Sequence, residues 1–175
     1  MGFIMSDIGI FFGSDTGNTM ELANRIQQEL ANYNVETFDI GQDATDQSFE
    51  KYNKILIGVP TWYYGEVQID WDDFIPELEK IDFTGKKVGI FGCGDQEDYS
   101  EYFLDAMGIL GEIITKNGGV IVGHWPTEGY EFEESKALVN DNHFIGLGID
   151  YDRQPELTET RVQEWVKQIV EEMEI

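Results

Sequence analysis

The stretch Ile8-Gly9-Ile10-Phe11-Phe12-Gly13-Ser14-Asp15-Thr16-Gly17-Asn18-Thr19 decides the architecture. Its first part is a short apolar run stopped by a glycine, which reads as a strand buried on both faces. From Asn18 or Thr19 to Leu30, the residues Met20, Ala23, Ile26, Gln27 and Leu30 make a partly apolar stripe at helical spacing. A buried strand, a polar turn and a helix open a crossover unit. In a parallel sheet such a turn lies at the carboxyl edge of its strand, where ligands bind.

Working outward, Val35–Ile40 and Ile55–Val59 read as the second and third strands, the third halted by Pro60. Asp70–Leu78 has a helical pattern, although Pro76 argues against a clean interior turn. Lys87–Gly92 is a fourth strand. Phe103–Lys116 is helical through Phe103, Met107, Leu110 and Ile114, and Asn117-Gly118-Gly119 stops it. Val120–Trp125 reads as a fifth strand. Thr158–Met173 is the last helix, with Val162, Trp165, Val166, Ile169 and Val170 on one face. The alternation predicts a doubly wound α/β fold around a mostly parallel sheet of about five strands. Pro126–His143, with Gly129, Tyr130, Phe132 and a cluster of acids, breaks the rhythm before the aliphatic run Phe144-Ile145-Gly146-Leu147-Gly148 resumes it. This predicts a long insertion that splits the last strand. Asp43–Tyr52 is polar but holds Phe49, so it reads as a connection or short helix. No repeat or linker breaks the chain, and one domain over residues 1–175 is expected.

Charge narrows the function. The 175 residues carry 35 Asp and Glu against 11 Lys and Arg, a formal charge of −24. That excludes general nucleic-acid binding and opposes adsorption to an anionic membrane. With 41% hydrophobic and 13% aromatic residues, the chain is not a disordered acidic tail. Its one cysteine, Cys93, rules out an intrachain disulfide framework and a multi-cysteine metal site. Met1–Ile10 lacks the basic-then-apolar form of a signal peptide, and no run approaches the length of a membrane span. A soluble cytoplasmic protein without membrane insertion is expected.

The loop Gly13–Thr19 brings hydroxyls from Ser14, Thr16 and Thr19, a glycine at Gly17 that lets backbone approach a ligand, and the free N–H groups of a helix start. It has neither GxxxxGK[ST] nor GxGxxG. Two readings fit: a site for one compact phosphate held by neutral donors, or an ordinary capped helix start. The third strand ends in Pro60-Thr61-Trp62-Tyr63-Tyr64-Gly65-Glu66, whose adjacent aromatics are hard to bury together and offer flat faces with polar edges. The fourth ends in Gly92-Cys93-Gly94-Asp95-Gln96-Glu97-Asp98-Tyr99. This second aromatic loop is dense in acids, with no Lys or Arg from Asp95 to Asp105. Loops after strands one, three and four converge on one sheet edge. Together they suit a ligand with a phosphate at one end and a planar ring at the other, the shape of flavin mononucleotide (FMN). The carboxylates oppose added negative charge on such a ring and lower the potential of its second electron.

At this point the sequence resembles the long-chain flavodoxins over nearly its whole length. Phe12–Thr19 is similar to their phosphate loop, Gly58-Val59-Pro60-Thr61-Trp62 with Gly65-Glu66 to the first ring loop, and Gly92-Cys93-Gly94-Asp95-Gln96 with Tyr99 to the second. The resemblance implies a sheet of order 2-1-3-4-5. It implies that Ser14, Asp15, Thr16, Gly17, Asn18 and Thr19 hold the phosphate, and that Trp62 and Tyr99 flank the ring. Pro60, Thr61, Tyr63, Tyr64, Gly65, Cys93, Gly94 and Asp95 would surround the ring and ribityl chain, with Asp150 near the ribityl hydroxyls. Asn18 stands where the family often has lysine, and Cys93 where it often has threonine.

The implied activity is that of a low-potential one-electron carrier shuttling between semiquinone and hydroquinone, not that of an enzyme. Its implied partners are a basic flavoprotein reductase such as ferredoxin-NADP reductase and redox proteins that otherwise accept from ferredoxin, photosystem I or nitrogenase among them. A monomer is expected. The acids Glu66, Asp70, Asp72, Asp73 and Glu77 would add to a negative collar that steers basic partners. His124 and His143 are too few for a metal or acid–base site, and Asp150, Asp152 and Glu156 lack the full calcium-loop pattern. Cys93 has no clear base partner. An FMN-dependent quinone or azo reductase and a cofactor-free acidic binding module are the rival readings.

Overall fold

The computed structural model describes residues 7–14, 16–42 and 46–175. Five parallel strand positions form the central sheet. β1 (Asp7–Phe12) lies between β2 (Asn34–Asp39) and β3 (Lys54–Trp62), and β5 (Lys87–Cys93) follows β3. The fifth position is shared: β6 (Val120–Val122) pairs with Lys87–Gly89, and β10 (Leu147–Ile149) pairs with Phe91–Cys93. The expected 2-1-3-4-5 order and the split last strand are both present. β4 (Glu66–Val67) is a short antiparallel addition to the end of β3.

Side-chain alternation assigns the two faces. Ile8, Ile10, Phe12, Leu56 and Phe91 pack with α1 (Asn18–Glu29) and α5 (Thr158–Glu172) through Leu22, Ile26, Trp165 and Ile169. Phe11, Ile55, Ile57, Val88 and Ile90 face the opposite way. They meet Phe49 of α2 (Asp46–Glu50), Trp71 and Phe74 of α3 (Ile69–Leu78), and Leu110 and Ile114 of α4 (Asp105–Lys116). Apolar residues on both sides of each strand are what a sheet covered on both faces requires. A short 3-10 turn, Pro155–Leu157, leads into α5.

Three local differences from the sequence reading have physical causes. β3 runs through Pro60 instead of stopping there. The Gly58 carbonyl points toward β1, accepting from Gly13 N at 3.1 Å, so Pro60 two residues on faces the same side. β1 has ended by then and no ladder donor is needed. α3 contains Pro76, which lacks the N–H that would bond to the Asp72 carbonyl, and the helix ends two residues later. α4 begins at Asp105 rather than Phe103, because Leu104 takes a left-handed conformation, φ 62°. The insertion builds a small sheet of its own, with β7 (Trp125–Pro126) and β8 (Leu138–Asn140) on either side of β9 (His143–Phe144). The Asp43–Tyr52 segment contains α2; residues 43–45 lie outside those described.

Candidate functional site

β1 turns to β2 on one side and the chain then crosses to β3 on the other, so the sheet order reverses beside β1. The crevice at the carboxyl ends is the place where this fold class takes ligands. A cleft of about 220 Å³ opens there. It is small beside the roughly 300–1,000 Å³ of pockets that enclose a small molecule.

The first wall is the turn after β1. Gly13 lies against α3: a Cβ there would meet Gln68 Oε1 at 2.3 Å and Trp71 Cδ1 at 2.8 Å. Gly17 sits at the start of α1 with φ 93°, a left-handed conformation that L side chains disfavour. The Gly17 N–H donates to Ser14 Oγ at 3.0 Å, which leaves the Ser14 hydroxyl proton free to be given outward. No side chain among the described residues caps α1, so its first-turn N–H groups keep their donor capacity. Thr16 and Asn18 are exposed and line the cleft. Thr19 does not: it is buried, and its hydroxyl donates to Cys93 Sγ at 3.8 Å. Asp15 lies outside the described residues.

The second wall is the end of β3. Pro60, Thr61, Trp62 and Tyr63 line the cleft. The Thr61 hydroxyl accepts from Ala106 N at 3.0 Å, tying this wall to the first turn of α4. Trp62 Nε1 is buried with no hydrogen-bond partner among the described residues, a donor of the kind that native sites satisfy with a ligand or water. Tyr63 adopts φ 41°, and its ring lies 5.6 Å from that of Trp62 and 6.3 Å from that of Tyr99. Tyr64 is 73% exposed and touches Tyr102 edge-on, outside the cleft. Gly65 is buried against Asp105, whose Oδ2 would stand 2.6 Å from a Cβ there. Burial pushes the Asp105 carboxyl above the ordinary carboxylate range, against the opposing Lys136 N–H.

The third wall, after β5, is made of Cys93, Gly94, Asp95 and Tyr99. Gly94 leaves room for Phe103 and Leu104, whose side chains would lie 3.1–3.2 Å from a Cβ. Burial pushes the Cys93 thiol up to about 12, only partly opposed by the Thr19 hydroxyl, so it stays a neutral thiol at neutral pH. Asp95 Oδ1 accepts from Glu97 N at 2.9 Å and Asp98 N at 3.0 Å, folding the acidic turn.

Two results were not anticipated. Asp150 does not line the cleft. It is fully buried: Oδ2 accepts from Gln96 N and Gln96 Nε2, each at 3.0 Å, and Oδ1 from Asp152 N at 3.1 Å and Arg153 N at 2.9 Å. It anchors the loop beneath the site. Its neighbours Tyr151 and Asp152 do line the cleft, and Arg153 reaches into the acidic turn. The available signal was position, since these residues follow the resumed fifth strand at the same carboxyl edge. Among the described residues no group of three or more His, Cys, Asp or Glu could hold a metal ion.

A hydroxyl-and-amide turn thus faces two aromatic walls across one slot. The flavodoxin family profile matches residues 10–165. The chain belongs to the flavodoxin family. It is 57% identical over 171 residues to the flavodoxin of Klebsiella pneumoniae, covering 98% of this chain and 97% of that one. It is 58% identical over 171 residues to flavodoxin 1 of Escherichia coli K12, with the same coverage. Among solved structures, a Fusobacterium nucleatum flavodoxin, mutant K13G bound to flavin mononucleotide, superposes with a TM-score of 0.91 at 34% identity, covering 98% of this chain and 99% of that one. The same protein without that mutation, also bound to flavin mononucleotide, gives 0.89 at 35% identity, covering 96% and 99%.

The residues present fit that group. The turn after β1 offers donors without a competing cation, aromatic rings from two loops line the same cleft, and Trp62 Nε1 is an unmet donor among the described residues.

Proposed function

We propose that this protein is a one-electron carrier of strongly negative potential that holds FMN non-covalently in the cleft and serves other redox proteins. Its family makes it an FMN-binding electron-transfer protein rather than an enzyme. The observation that carries the site assignment is the meeting of Thr16, Trp62 and Tyr99 on one slot. FMN supplies the redox chemistry, taking up and releasing electrons singly.

The chain's own residues do the rest. Ser14 and Thr16 donate hydroxyls to the phosphate, and the backbone of Asn18 and Thr19 donates N–H groups, while Gly17 shapes the corner by its bond to Ser14 Oγ and Asp15 belongs to the same loop. The uncapped start of α1 favours the anion by its dipole. Trp62 and Tyr99 flank the ring. The backbone of Pro60, Thr61, Cys93, Gly94 and Asp95 meets its edge and ribityl chain, and Tyr63, Tyr64 and Gly65 shape the rim. Asp150 acts at one remove by fixing the loop. The exposed acids Glu66, Asp72, Asp73, Glu97, Asp98 and Glu101 resist negative charge on the ring and attract basic partners, at rates that fall as salt rises.

Such partners are a basic flavoprotein reductase of the ferredoxin-NADP reductase type and ferredoxin-accepting proteins such as photosystem I or nitrogenase. The protein works as a monomer in the cytoplasm, as one FMN-binding unit over residues 1–175. Among the described residues no helix is long and apolar enough to cross a membrane.

The test is FMN titration of the purified chain followed by stepwise reduction. Quenching of flavin fluorescence at a one-to-one ratio and a strongly negative second-electron potential are expected. A chain that leaves added FMN fluorescent and free overturns the assignment.

A further inference from the structure

The acidic turn after β5 has no cation of its own between Asp95 and Asp105, yet the structure delivers one from 58 residues away. The Arg153 guanidinium donates from Nε to Asp95 Oδ1 at 3.1 Å and from one terminal nitrogen to Asp95 Oδ2 at 3.4 Å, a two-point grip on one carboxylate. The same group stands 3.0 Å from Glu97 Oε2 and 3.1 Å from Asp98 Oδ1. The root of this side chain is fixed as well, because the Arg153 N–H donates to buried Asp150, which also accepts from Gln96 of the same turn. Arg153 and the turn are therefore held by one carboxylate at the base and by three at the top. A lone surface ion pair has little effect, but a planar fork shared by several carboxylates is the arrangement that retains strength.

Asp95 and Tyr99 line the cleft, and the Tyr99 N–H donates to the Asp95 carbonyl at 3.2 Å, so the position of Asp95 is passed to the ring-flanking tyrosine through one backbone bond. We propose that Arg153 is a positioning residue for FMN: it clamps the turn that carries Asp95 and Tyr99, and it offsets part of the negative charge facing the ring. The inference rests on the FMN reading above. Lysine keeps the charge but cannot reproduce the fork, so the two parts of the role are separable.

The experiment compares the full-length holoprotein with Arg153→Gln, Arg153→Lys and the surface control Lys80→Gln. Lys80 loses the same unit of charge from an exposed pair with Glu77. For Arg153→Gln the FMN dissociation constant rises about fivefold. Its second-electron potential moves to more negative values by about 28 mV, equivalent to a threefold change in a one-electron equilibrium. Arg153→Lys recovers the potential but not the affinity, and Lys80→Gln changes neither. Amide exchange at Glu97 and Asp98, measured before FMN is added, rises in Arg153→Gln and reads the clamp without the cofactor. An Arg153→Gln protein with wild-type affinity and potential overturns the proposal, whatever its exchange rates. So does a Lys80→Gln protein that shifts both as much. Failure of the FMN reading itself looks different, as a wild-type chain that takes up no flavin.

Discussion

Gly13 is tied to β3 by its N–H on the Gly58 carbonyl, but past it the described residues of the first turn are held by their own neighbours: Gly17 N–H on Ser14 Oγ, Glu21 N–H on the Gly17 carbonyl, and a glycine in the one conformation the corner requires. The loop from Gly94 to Leu104 is held from far away. Asp150 takes the Gln96 N–H, Arg153 grips Asp95, Glu131 N–H reaches Gln96 Oε1 at 2.7 Å, and Glu133 and Glu134 both donate to the Ser100 carbonyl. Behind it, Phe103 packs on Tyr130 and Phe132 of the insertion and on Phe144 just after it. A phosphate turn can be local because backbone N–H groups and a helix start are sufficient for an anion. A loop that must hold an aromatic ring at a set distance from another wall needs bracing, and here the insertion and the 150–154 segment provide it.

Breaking the remote bracing has the largest expected effect. Asp150→Ala removes a fully buried acceptor of four N–H groups, two of them buried and two half-buried, and a loss of about 3 kcal/mol or more is expected in urea unfolding. A loss below about 1 kcal/mol would mean that the second loop is as self-sufficient as the first. Next comes Tyr99→Ala, with a loss of about 1–3 kcal/mol of ring stacking, seen as a roughly fivefold to 150-fold rise in the FMN dissociation constant; unchanged affinity removes Tyr99 from the site. Gly17→Ala tests the local turn. A Cβ there meets nothing within 4 Å, so the penalty is conformational alone, about 1 kcal/mol, and FMN affinity falls with it while the second loop keeps its amide protection.

Two acids give the comparison a pH signature. At Asp95 burial pushes the carboxyl up, but the Arg153 bond and the Asp98 and Glu97 N–H groups together hold it below the usual range. Its contribution to stability is therefore complete above about pH 4 and is lost as pH falls through the lowered folded value. Asp105 has the opposite sign. Its burden on the fold grows as pH rises from about 4 through its raised folded value, and is relieved on acidification. Carboxyl NMR titration separates them, and inflections in the reverse order would refute the assignment. The smallest effect belongs to Glu21→Gln, which removes the exposed i,i+4 pair with Arg25. Less than about 0.5 kcal/mol is expected in the same urea assay.

The same division explains what was legible in the sequence. Strand positions, the split fifth strand and the first turn follow from runs of neighbouring residues, so Ile8–Thr19 could be read directly, whereas the order of the strands came only with the family resemblance. Trp62 and Tyr99 were legible because bulky aromatics at strand ends have few other uses. Arg153 and Tyr151 were not, because their partners lie far off in sequence and no spacing rule connects them. The position of Asp150 after a strand was readable, but the direction of its carboxylate depends on Gln96. Thr19 looked like a third phosphate hydroxyl until the packing of Cys93 beside it was known. Pro60 looked like a strand end because the absence of a neighbour on that side of β3 is a tertiary fact.

The shared fifth position leaves a seam in the sheet. Lys87–Gly89 fixes the register of β6 and Phe91–Cys93 that of β10, each independently of the other. Material spliced between them at the exposed Asp141–Asn142 turn, beyond the paired strand β8, shifts neither ladder, so natural drift or deliberate grafting can change length there while the cleft stays in alignment. That turn is the place to mount a label, a tether or a foreign recognition segment on this scaffold.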